Sequence, residues 1–214
     1  MTLQTTLVTD GSSDKALVPV LRWLFGQVTP EPVELHWSDL RGLPKPPTSL
    51  VERLACAVKL NPCQLLLVHR DAEKQPPQLR YDEVAAANQT QLPHVCVVPV
   101  KMQEAWLLLD ESALREAAGR PSGTDALNLP TARQWDSVPD PKQVLHDALI
   151  TASGAKGRRA KQFQPGRAAH RLAELVGDWS PLRQLSAFQR LELDIRSALT
   201  ELGKPLHAAV PLSR

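Results

Sequence analysis

Carboxylates recur at three places where an apolar run has just ended. Asp10 and Asp14 follow Leu3–Thr9, Asp71 and Glu73 follow Leu65–Arg70, and Glu104 follows Val95–Val100. Each run reads as a buried strand. In an open parallel sheet the carboxyl ends of the strands share one edge, and ligands bind there. Acids gathered at that edge repel one another unless a cation neutralises them, and all-oxygen ligand sets suit Mg²⁺ or Mn²⁺. The chemistry this spacing predicts is phosphoryl transfer, which needs a divalent metal, an oriented nucleophile and cationic clamps.

The three clusters differ in strength. In Thr9-Asp10-Gly11-Ser12-Ser13-Asp14 an acid and a Gly end the strand, so Asp10 stands at the sheet edge. Gly11 permits positive φ or close backbone approach. Asp14 reads either as a carboxylate supporting the metal ligands or as a helix-start acid complementing the dipole. Asp71-Ala72-Glu73 is the stronger signal, because alternate residues of extended chain point the same way and would present two carboxylates to one point. Glu104 opens a helix just past the fourth strand and could complete the ligand set, or simply favour a first helical turn. Lys101, beside it, is a candidate cation for the transition state. His69-Arg70-Asp71 has the form of a kinase catalytic loop, but the downstream Asn and the Asp-Phe-Gly element are missing.

A second chemistry-bearing stretch is basic. Lys156, Arg158, Arg159, Lys161, Arg167 and Arg171 lie within residues 151–173, which hold no acid. Residues 1–150 carry 14 Lys+Arg against 18 Asp+Glu, net −4, while residues 151–214 carry 11 against 5, net +6. An acidic first part with a basic last part suits a metal site beside a surface for a polyanion, although a solvated basic helix would look the same. Aromatic residues are only 4% and are not interleaved with the tract, which favours a grip on the phosphate backbone over base stacking.

The elements that must position these residues alternate. Strands are expected at Leu3–Thr9, Val33–Trp37, Leu65–Val68 and Val95–Val100, with Leu65–Val68, the most apolar, in the centre. Ser13 is the expected cap of a helix through Leu24, Thr48 or Ser49 that of one running to Leu60, and Tyr81–Gln91 is expected to be a third helix after the Lys74–Pro77 loop. From Gln103 onward the chain reads as helical: Glu104–Leu109, Ser112–Ala118, Pro141–Ile150, Arg167–Val176 and Leu182–Leu202, with 123–139 irregular. Strand–helix alternation implies a parallel sheet covered on both faces. The fold class is therefore α/β, a Rossmann-like parallel sheet of about four strands, with a domain at 1–118 and a helical, basic part at 119–214. With 43% hydrophobic and 22% charged residues the composition is that of an ordinary globular protein. No run approaches the roughly 18 apolar residues of a membrane span. An odd cysteine count with no Cys-x-x-Cys pair argues against zinc and points to a reducing, cytoplasmic location.

Together these residues resemble the toprim fold of topoisomerases, primases and overcoming-lysogenization-defect nucleases. Asp10-Gly11 stands where that family has a Glu-Gly turn after strand one, and Asp71-Ala72-Glu73 where it has Asp-x-Asp after strand three. The chain looks closer still to a small bacterial toprim-like family often encoded beside ABC-type ATPases in phage-defence loci, on the segments Thr9–Asp14, Glu104–Leu108, Pro141-Lys142 and Lys156–Lys161. The resemblance implies a Mg²⁺- or Mn²⁺-dependent nuclease acting on DNA ahead of RNA, with an ATPase partner and no membrane. Asp10 would be general base and ligand, Asp71 and Glu73 ligands, Glu104 a further ligand, Gly11 and Asp14 their support, and Lys101 or the basic tract the charge clamp. Asp10 and Glu73 each depart from the family pattern by one methylene, and catalysis is sensitive to displacements of about 1 Å. That departure sustains an alternative: a degenerate subunit that binds nucleic acid or a partner without cleavage. A phosphoacceptor domain would also place an Asp after strand three, but this chain shows neither the paired acids such a domain carries after strand one nor a clear fifth strand.

Overall fold

The computed structural model describes residues 2–73 and 75–208. Four strands form one parallel sheet: β1 (Leu3–Val8), β2 (Val33–Ser38), β3 (Leu65–His69) and β4 (His94–Val97), in the order β2-β1-β3-β4. The fold is α/β, as the alternation requires. Every residue of β3 is buried, as is β1 apart from Gln4, and these two lie inside the sheet with β2 and β4 at its edges. The register pairs Val8 with Val68, and Val68 with Cys96.

Two compact units divide the chain. One is formed within Met1–Val100 and Ser186–Arg214, the other is Lys101–Leu185. The division falls earlier than the boundary read at residue 118, and the last helix joins the sheet. In the first unit α1 (Leu17–Val28) packs on β2, α2 (Leu50–Leu60) on β1, α3 (Pro77–Ala87) on α2 and β4, and α8 (Ser186–Glu201) on α1 and β4. Val8, Leu66, Val68, Cys96 and Val98 share one core with Leu54, Ala57 and Val84 of α2 and α3. The residues between them in sequence, such as Leu7, Leu65, Leu67 and Val97, are equally buried and face the other way.

Helix α2 begins on a capping box: Ser49 Oγ accepts from the Glu52 N–H, and the Glu52 carboxylate accepts from the Ser49 N–H at 3.1 Å. Ser13 does not cap α1. It opens a 3₁₀ turn, Ser13–Ala16, and its hydroxyl donates to Asp14 at 3.0 Å. Helix α3 starts earlier than expected, at Pro77, because proline is preorganised for a first helical position. Lys74, in the loop before it, lies outside the described residues.

In the second unit α4 (Glu111–Ala117), α5 (Pro141–Ser153) and α7 (Pro165–Leu175) pack on one another and on a 3₁₀ segment, Gln103–Leu109, where an α-helix was expected from Glu104. Trp106, Leu114, Leu145, Leu149 and Leu172 are buried there. A short helix not foreseen, α6 (Arg158–Gln162), precedes α7. The stretch expected at Leu182–Leu202 is a 3₁₀ turn, Ser180–Gln184, followed by α8. No helix among the described residues is long and apolar enough to cross a membrane. All three cysteines are free thiols.

Candidate functional site

The strand order changes direction between β1 and β3, and ligands in open α/β sheets bind beyond the carboxyl ends at such a point. Asp10 and Asp14 follow β1 there, and His69, Arg70 and Asp71 end and follow β3. The register separates Asp10 from Asp71, which their spacing was expected to bring together. Extending the Val8–Val68 register by two residues sets Asp10 opposite Arg70, not Asp71. Because successive side chains alternate between faces, Asp10 and Arg70 share the α2 side while His69 and Asp71 share the other.

On the α2 side the site is a chain of alternating charge. Arg70 Nη1 donates to both carboxylate oxygens of Asp10, at 2.7 and 2.6 Å. Arg53, one turn into α2, also donates to the Asp10 carboxylate and to the Thr9 carbonyl oxygen. Beyond Arg70, Glu83 accepts from Arg70 Nη2 at 2.8 Å and from Arg80 Nη1 at 3.0 Å. Arg80 Nε donates to the Asp71 carbonyl oxygen at 3.0 Å. Partial burial alone would push the Asp10 carboxyl up, but the hydrogen bond from Arg53 and the charges of Arg70 and Arg53 prevail and hold it below its ordinary value.

On the opposite side lies a buried imidazole. His69 Nδ1 stands 2.9 Å from the Val97 carbonyl oxygen, which can only accept, so Nδ1 is the donor in that contact. Nε2 then faces Asp71 Oδ1 at 3.4 Å and Asp14 Oδ2 at 4.0 Å. Asp14 also accepts from the Gly11 N–H at 2.7 Å, so it closes the turn after β1.

Glu73 is exposed and has φ of +56°, and the Gln75 N–H donates to the Ala72 carbonyl oxygen at 2.9 Å. The chain has turned there, so the extended alternation expected to pair Glu73 with Asp71 does not apply. In the second unit, Glu104 is buried with Lys142 Nζ at 3.9 Å. Lys101 donates to the carbonyl oxygens of Ser137 and Val138 at 3.1 and 2.8 Å, which ties its ammonium to its own unit.

Among the described residues no group of three or more His, Cys, Asp or Glu side chains is placed to hold a metal ion. Asp10, the proposed first ligand, is neutralised by two guanidinium groups, and a dication brought to it would meet their charge.

The basic tract is different. Lys156, Arg158, Arg159, Lys161, Arg167 and Arg171 are all exposed, and none forms an ion pair with a described residue. Arg167 and Arg171 lie one turn apart on α7, beside a buried stripe of Ala168 and Leu172.

Comparison with family models, with curated proteins and with solved structures finds no match to this chain. The toprim resemblance rests on its motifs.

Three participants escaped the sequence reading: Arg53, His69 and Arg70. His69 and Arg70 carried a usable signal, since polar residues ending the most apolar strand are expensive to bury without partners. Arg53 carried none, because its acid lies 43 positions away in the chain.

Proposed function

We propose that this protein is a toprim-like subunit that grips the phosphate backbone of nucleic acid, duplex DNA first, without cutting it. One observation carries the reading: six exposed cations on and around α6 and α7, with no acid paired to them among the described residues. Surface cations left without partners gain most from a polyanion, because each phosphate neutralised releases condensed counterions. The arginine-bound state of Asp10 supports the non-cleaving half of the reading, since a carboxylate held by two guanidiniums is a poor base and a poor ligand. The resemblance further proposes an ABC-type ATPase as the partner that delivers the nucleic acid in a bacterial anti-phage system.

Filter binding to duplex DNA across a salt series tests this. Six backbone contacts give a slope of log K against log salt of about −5. A flat salt dependence removes the proposal. One observation favours a second reading, the Mg²⁺- or Mn²⁺-dependent nuclease: Asp14, His69 and Asp71 do gather at the strand switch point. Plasmid nicking that needs Mg²⁺ or Mn²⁺ and is lost in Asp71→Ala establishes the second reading over the first.

A further inference from the structure

We propose that Arg53 and Arg70 form a binding site for a phosphate monoester, and that Asp10 occupies it as an internal stand-in anion. The site lies in the sheet-bearing unit and does not depend on the nucleic-acid reading of the basic tract.

Exposure ranks the three partners. The Asp10 side chain is 44% exposed, whereas those of Arg53 and Arg70 are 17% and 18% exposed. The carboxylate can therefore leave for water, but the guanidiniums cannot, and two desolvated cations side by side demand an anion. The local charge favours a dianion over the carboxylate. Arg53, Arg70 and Arg80 form ion pairs with Asp10 and Glu83, so this chain of pairs sets three cations against two carboxylates. Arg70 Nε adds an unmet donor: it is buried and has no hydrogen-bond partner among the described residues.

Space for the incoming group is present beside Asp10. A cavity of about 170 Å³ on the Arg53 side of the pair is lined by Asp10, Gly11, Asp39, Arg41, Thr48 and Arg53, among others, while Arg70 reaches Asp10 from outside that lining. Ser38 and Thr48 belong to that lining, and hydroxyls such as theirs can donate to the outer oxygens of a phosphate. Arg41 is itself held in a two-pronged contact with Asp39, at 2.8 and 2.7 Å, and so is fixed as part of the wall. A volume this small suits a phosphate headgroup, not a whole drug-sized ligand. The exchange is one anion for another on a fixed guanidinium pair, and no covalent step is involved.

Isothermal titration with inorganic phosphate tests the site in the whole 214-residue chain. Asp10→Ala removes the internal competitor and is expected to bind phosphate at least tenfold more tightly than the unaltered protein. Adding Arg53→Gln or Arg70→Gln to Asp10→Ala abolishes that gain. Circular dichroism checks each variant for folding, and Asp10→Asn with a phosphate-dependent rise in Tm serves if Asp10→Ala does not fold. A mononucleotide, a 5′-phosphorylated oligonucleotide and its 5′-hydroxyl twin then assign the source of the phosphate. Phosphate affinity within twofold between the unaltered protein and Asp10→Ala, or a gain that survives loss of both arginines, overturns the proposal.

Discussion

Arginine does opposite work in the two units. At the sheet edge Arg53, Arg70 and Arg80 are largely buried and each is bound to a carboxylate, so their charge is met, though not fully balanced, inside the protein. On α6 and α7 the arginines stand in solvent and form no ion pair with an acid among the described residues. Burial makes the difference: a desolvated guanidinium must find its anion within the fold, whereas a hydrated one can wait for a partner. Basic residues by themselves therefore do not mark a binding surface. Exposed ones without internal acids do.

The largest effect expected is on stability. Leu67→Ala, at the buried centre of β3, should cost about 2–5 kcal/mol in urea unfolding. Under conditions where this variant stays folded, its oligonucleotide affinity should remain within twofold. A parallel loss of binding breaks the distinction between the two regions. Next comes the triple change Arg158→Ala, Arg159→Ala, Lys161→Ala. Filter binding should show affinity lower by on the order of a hundredfold at low salt and a salt slope shallower by about 3.

Smaller shifts sharpen the sheet-edge side. Asp10→Asn should lose about 1 kcal/mol near neutral pH, a modest figure because solvent reaches the carboxylate. The Asp10 carboxyl sits below its ordinary value of 3.8, so its contribution is complete above that pH and fades as pH falls through the lowered value. Acid titrations of stability for Asp10→Asn and the unaltered protein should therefore converge below pH 3.8. A constant gap there removes the ion-pair explanation. Finally, Ser49→Ala takes the cap from the helix that carries Arg53 and should cost about 1 kcal/mol by thermal unfolding. Because Arg53 sits one turn in, the same change should also weaken its hold on Asp10, read as a smaller effect of Asp10→Asn in that background.

The sheet was legible because its signal is local. Four apolar runs separated by helical stretches and turn residues leave few alternatives to a parallel α/β sheet, and β3 announced its central place by having no polar residue before His69. The basic tract was legible for the same reason, as a run without acids. The candidate site was only half legible. Asp10, Asp14 and Asp71 do lie at one sheet edge, yet which of them meet depends on a quantity absent from any single strand.

That quantity is register. By itself the sequence determined the strands, the order of charge along the chain and the acids that end β1 and β3, since periodicity and turn chemistry are properties of neighbouring residues. Only the tertiary structure decided that Asp10 faces Arg70 and Arg53, while Asp71 turns to His69 on the other side. A one-residue change of register sends every side chain of a strand to the opposite face, and the pairing of β1 with β3 is fixed by packing between residues some sixty positions apart.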